Sequence, residues 1–117
     1  RKDFLMITRI WQAWTDPEDA DRYELLLTTQ IFSAIRAKGI SGLQRMELLR
    51  RAAGEEVEFM VIFRFSDADS IRAMTGGRME QAYVPEAARN VLKRYESTAR
   101  HFDCRFLSDD LKEVADA

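Results

Sequence analysis

The 117 residues include one cysteine, one histidine, one asparagine and two prolines. Cys104 alone cannot build an intrachain disulfide framework, and with His101 as its only imidazole companion no Cys/His metal site is available. A metal would need oxygen ligands throughout, and no EF-hand spacing occurs. No apolar run approaches the ~20 residues that span a bilayer. Positive charge is not in excess either: 18 basic against 20 acidic side chains leave a formal net charge of -2, which gives no long-range pull toward nucleic acid or an anionic membrane. Gly76-Gly77 is no phosphate cradle, since neither Lys-Ser nor Lys-Thr follows it. The expectation is one cytoplasmic-type domain over 1–117, with its core at about 5–107 and a tail at 108–117, and with no nucleic-acid or membrane partner.

What is present is a regular alternation of apolar groups. Across Glu55–Phe65, Val57, Phe59, Val61, Phe63 and Phe65 share one strand face, while Glu56, Glu58, Met60, Ile62 and Arg64 share the other. The second face is charged at both ends and apolar in its middle, so it too needs cover. Ser66 and Asp69 read as a shortened capping box for a helix carrying Ile71 and Met74, which Gly76-Gly77 ends. Earlier, Leu5–Thr15 reads as a strand with Ile7, Arg9, Trp11 and Ala13 on one face and Met6, Thr8, Ile10, Gln12 and Trp14 on the other. Asp16-Pro17 starts a helix expected to run to about Lys38, with Ala20, Tyr23, Leu27, Ile31, Ala34 and Ile35 as its buried stripe. Leu43–Arg51 is a strand joined to the central one by a short hairpin. Arg78–Val84 is irregular, Pro85 opens a short helix, and Lys93–Leu107 is a last strand.

Strand, helix, strand, strand, helix, strand implies an α+β, ferredoxin-like βαββαβ fold with an antiparallel sheet and helices on one face. The uncovered apolar face requires a partner, and a second copy of the chain is the simplest. A homodimer with facing sheets would enclose a space walled by Met60, Ile62 and one tryptophan.

Ile7-Thr8-Arg9-Ile10-Trp11, the central Glu58-Phe59-Met60 with its strand-to-helix step, and Ala99-Arg100-His101-Phe102 together resemble the antibiotic biosynthesis monooxygenase-like proteins of the dimeric alpha-beta barrel superfamily. The resemblance spans about Met6–Phe106. It implies a dimeric α/β barrel and a cofactor-independent monooxygenase acting on a small aromatic or quinone-type molecule. A non-catalytic homodimeric module for a small apolar ligand is the alternative, and a haem-degrading oxygenase a third. The chain departs from the family at two points. Phe65 stands where members carry a tryptophan, and Asn90, the only asparagine, lies outside the barrel strands, so their oxygen-holding groups do not transfer.

The candidate base is His101, with Asp103 on the same strand face to orient it. If Phe102, Cys104 and Phe106 pack under the helices, His101 points between the sheets. A structural histidine is the plainer reading. Arg9 is a candidate holder of an acidic or quinone-like oxygen, or else the cross-strand partner of Glu47 or Glu58. Trp11, Met60, Ile62 and Tyr83 complete the candidate substrate-binding set. The plainer role of Trp11 and of the tyrosines Tyr23 and Tyr83 is packing. Cys104 reads as a small buried hydrophobe.

Overall fold

The computed structural model describes residues 6–108. Strand β1 (Ile7–Thr15) leads through a 3-10 turn (Pro17–Asp19) into α1 (Ala20–Leu26), a π-helical turn (Leu27–Ile31) and α2 (Phe32–Ala37). There follow β2 (Leu43–Ala53), β3 (Glu56–Phe65), α3 (Ala68–Thr75), α4 (Glu86–Arg89), β4 (Arg94–Tyr95) and β5 (Arg100–Asp103). The sheet order is β2-β3-β1, with β4 and β5 both on the remaining edge of β1 and every pairing antiparallel. This is the expected ferredoxin-like arrangement. Among the described residues no helix is long and apolar enough to cross a membrane.

The period-two pattern of β3 does what its chemistry requires. Val57, Phe59, Val61, Phe63 and Phe65 are all buried beneath the helices, against Tyr23, Leu27, Ile71 and Ala88. Tyr23 meets Phe59 edge-on at 4.9 Å between ring centroids, and Phe32 meets Phe63 at 5.7 Å, geometries that aromatic quadrupoles favour. Register places Ile10, Trp14, Leu49, Met60, Ile62 and Phe102 on the opposite side, which no helix covers. A polar chain crosses that same side: Arg51 donates to Glu58, Gln12 donates to Glu58, and Arg100 donates to both Gln12 and Glu96.

Three local expectations need correction. The N-cap of α3 is Asp67, not Ser66: its Oδ1 accepts from the Ser70 amide at 2.8 Å, while Ser66 donates its hydroxyl to Asp67 Oδ2. The long helix is not continuous, because Thr28 and Thr29 turn their hydroxyls back onto the Glu24 and Leu25 carbonyls and the ladder opens into the π turn. The last strand is broken. From Tyr95 to His101 the chain advances six residues against four of β1, so two are looped out. The looped stretch pairs elsewhere, Ser97 accepting from the Ala82 amide and the Ala99 amide donating to Glu80. The helical tail expected after Ser108 lies outside the described residues.

The approach of α3 to β2 is tight at Gly42, whose carbonyl accepts from the Ser66 amide at 2.8 Å. A Cβ at Gly42 would stand 1.8 Å from Ser70 Oγ and 2.7 Å from Ser70 Cβ. Gly42→Ala is therefore expected to destabilise the fold by about 1–3 kcal/mol, through forced overpacking. Urea unfolding checks this, and an unchanged midpoint would contradict it.

Candidate functional site

A cleft of about 690 Å³ opens between the helix-side face of the sheet and the helices. Arg9, Trp11, Val61 and Phe63 form its sheet wall; Leu27, Gln30, Ile31 and Phe32 come from the π turn and the start of α2. Tyr23 lies at its floor and Tyr83, 79% exposed, at its mouth. The wide π turn thus falls where the helix must leave room rather than pack.

Arg9 is the unusual member. It is only 7% exposed, and among the described residues it has no carboxylate partner. Its Nη1 donates to the Met79 carbonyl at 2.5 Å and lies 3.0 Å from His101 Nε2, and its Nη2 donates to the Gln81 carbonyl at 3.2 Å. A guanidinium has five N–H bonds, so with three engaged two have no acceptor among the described residues. Burial weakens its hold on the proton, yet an arginine side chain stays charged at any ordinary pH. Glu58, one proposed partner of Arg9, instead accepts from Arg51 and Gln12 on the other face of the sheet.

His101 is Arg9's neighbour in register across β1 and β5, so both point to the helix side and not between sheets. Because Nη1 can only donate, Nε2 must carry the lone pair, and the ring is neutral with its proton on Nδ1. Burial lowers its basicity first and the Arg9 charge second, with Glu80 opposing. His101 does not border the cleft; it stands behind Arg9. Asp103 does not orient the ring: it is exposed, opposite Ile7, and among the described residues makes no hydrogen bond to His101.

Trp11 borders the cleft with its ring, but its indole N–H is taken by the Glu96 carbonyl at 2.6 Å. Trp14 lies on the other face with the Arg94 guanidinium 3.9 Å above its ring centroid. Met60 and Ile62 also lie on that uncovered face, so the sheet itself separates them from Arg9 and Trp11. They cannot share one cavity with those residues within a single chain. Phe102 and Phe106 are exposed rather than tucked under helices, and Cys104 is half-buried, its thiol donating to the Phe106 carbonyl.

The residues missed from the sequence are those that loop 79–82 brings in. Met79 and Gln81 act through backbone carbonyls, which carry no residue-type signal. Gln30 joins the wall by way of the π turn, for which the adjacent Thr28-Thr29 pair was the available clue. Burial raises the Tyr23 hydroxyl well above its ordinary range, which keeps it protonated.

No family model matches the sequence, and no curated protein matches it. Solved structures do match in fold. They include SnoaB from Streptomyces nogalater, a cofactor-independent oxygenase, at 19% identity and a TM-score of 0.58, covering 87% of this chain and 95% of that one. A monooxygenase of Streptomyces coelicolor in complex with nanaomycin D matches at 12% identity and a TM-score of 0.54, over 88% and 89%. A dimeric ferredoxin-like protein from an uncultured marine organism matches at 10% identity and a TM-score of 0.60, over 90% and 98%. The resemblance to the antibiotic biosynthesis monooxygenase-like proteins is thus borne out in fold.

The Arg9–His101 contact has a pH dependence of fixed sign. Folding holds His101 below the free value of 6.5, so the unfolded chain binds more protons in mild acid. Stability is full above pH 6.5 and falls as the pH drops through the folded value. The urea midpoint is expected to decline between pH 7 and 5 more steeply for the wild type than for His101→Gln; parallel curves would disprove the contact's role.

Proposed function

We propose that the chain is a small cofactor-independent monooxygenase of the antibiotic biosynthesis monooxygenase-like type, acting on an aromatic or quinone-type molecule bound in the Arg9 cleft. One observation carries this reading: a buried, always-charged guanidinium that among the described residues has no carboxylate partner and two N–H bonds without an acceptor stands in an otherwise largely apolar cleft. Such a group holds an oxyanion that forms during reaction. A phenolic substrate whose ring methylene is made acidic by conjugation with a ring carbonyl gives up one methylene C–H proton to water at the open mouth, and the negative charge delocalises onto the carbonyl oxygen beside Arg9. The delocalised anion passes one electron to dioxygen, and the two radicals join in a new C–O bond. Reprotonation gives a hydroperoxide, which loses water across its C–H and O–O bonds to leave a carbonyl. In sum CH2 and O2 become C=O and H2O, and the substrate supplies every electron.

His101 is here a positioning residue: its lone pair fixes Arg9 and it does not itself take the substrate's proton. A haem reading would require Nε2 to leave Arg9 before it met iron. The uncovered face, with Met60, Ile62, Ile10 and Trp14, is the homodimer interface in this proposal, and the second sheet shelters it. The cleft then belongs to each protomer, on the far side of its sheet from the partner.

Oxygen uptake with a panel of activated phenols tests the reaction. Arg9→Gln should lower kcat/KM by about 10²–10³, the usual loss of an oxyanion donor, while still folding cooperatively. His101→Gln should shift the acid limb of the pH–rate profile, which a merely structural histidine would leave in place. No uptake with any phenol would leave the ligand-binding module standing instead, and equal rates for Arg9→Gln would remove Arg9 from the reaction. For the interface, Ile62→Glu is expected to turn a dimer into a monomer in sedimentation equilibrium; a monomeric wild type would overturn the pairing.

A further inference from the structure

The charge of the cleft is lopsided. Among the described residues its wall and mouth contain Arg9, Lys38 and Arg78 and no aspartate or glutamate, in a chain where acids outnumber bases. Seven other basic side chains, Arg50 and Arg94 among them, each have a carboxylate within 3.5 Å. Lys38 and Arg78 have none among the described residues. They are tethered instead by neutral oxygens, Lys38 Nζ donating to the Met74 carbonyl at 2.9 Å and Arg78 Nη1 to Gln81 Oε1 at 3.3 Å. These anchors hold the two cations on the same rim, where the Gly76-Gly77 turn joins α3 to loop 79–82. Gln81 also connects the rim to the interior, since its carbonyl accepts from Arg9. Of the nearby acids, Asp67 caps α3 and Asp69 pairs with Arg72, while Glu80 is exposed and opposes the lowering of His101 basicity.

We propose that the ligand of this cleft carries a permanent negative charge, a carboxylate on its aromatic frame, received at the mouth by Lys38 and Arg78 while the frame lies against Trp11 and Phe63 and its inner oxygen meets Arg9. This rests on the same cleft that the proposed reaction uses, but concerns selection of the molecule rather than its oxidation. Two rim cations that form no ion pair among the described residues attract a carboxylate by charge and release it as salt rises. A neutral ester of the same shape gains nothing from them.

Isothermal titration calorimetry with anthraquinone-2-carboxylate and its methyl ester tests the proposal. The wild type should bind the acid about tenfold tighter than the ester at 50 mM salt, with the gap narrowing at 500 mM. In Lys38→Gln/Arg78→Gln the gap should close to less than threefold. Equal affinity for acid and ester in the wild type, an undiminished gap in the double variant, or binding of neither compound would each overturn it. The readout needs no turnover. Failure of oxygen uptake therefore leaves this result standing, and oxygen uptake with no acid preference sinks only this inference.

Discussion

A positive charge buried with no negative one beside it among the described residues constrains everything around it. Withdrawing a guanidinium from water costs several kcal/mol, and the charge-assisted hydrogen bonds to Met79 and Gln81 return about 1.5–3 kcal/mol each. Those carbonyls are in place only because loop 79–82 is pinned at both ends by the looped-out residues of the last strand, through Ser97 and Ala99. The break between β4 and β5 is thus the device that brings acceptors to Arg9. A continuous final strand would have paired with β1 along its length and left the loop unanchored.

The same sheet serves two purposes on its two sides. On the helix side, large side chains fill most of the space, and the π turn keeps one region open. On the other side, isolated apolar groups are interleaved with the chain of Arg51, Glu58, Gln12, Arg100 and Glu96. A mixed surface of this kind suits contact with a second protein surface, not the housing of a small molecule. That is why the cleft and the uncovered face, which the alternation pattern invites one to merge, are physically distinct.

Much of this was legible in the residues. Period-two alternation in β1 and β3 identified the strands and the core side of β3, and Asp16-Pro17 with Gly76-Gly77 punctuated the helices. The element order then led to the sheet topology. Parity along the last strand misled, because it gave no warning of two looped-out residues and offered no anchor for which side faced the helices. His101 consequently appeared to point between sheets, although its register with Arg9 turns it inward. Met60 and Ile62 were read as walls of a substrate space between two sheets, but strand parity alone cannot say whether such a face lines a cavity or meets a partner. The acceptors of Arg9 are backbone atoms, invisible to any reading of side-chain types.

The choice of arginine for the buried cation limits what chemistry the site performs. A lysine there would respond to burial by losing its proton and becoming a base, whereas a guanidinium keeps its charge and can only donate. Tyr23, held protonated by burial, is no base either, and His101 has its lone pair turned to Arg9. In the proposed reaction a cleft so equipped does not pull protons off a reluctant substrate; its part is to stabilise the anion of one that is already acidic. The burden of acidity therefore falls on the ligand, which points to an activated phenol or a carboxylated aromatic rather than a simple hydrocarbon. Both proposals, electrostatic selection of the ligand and electrostatic support of its anion, then rest on one absence, that of any acidic side chain among the described residues of the wall.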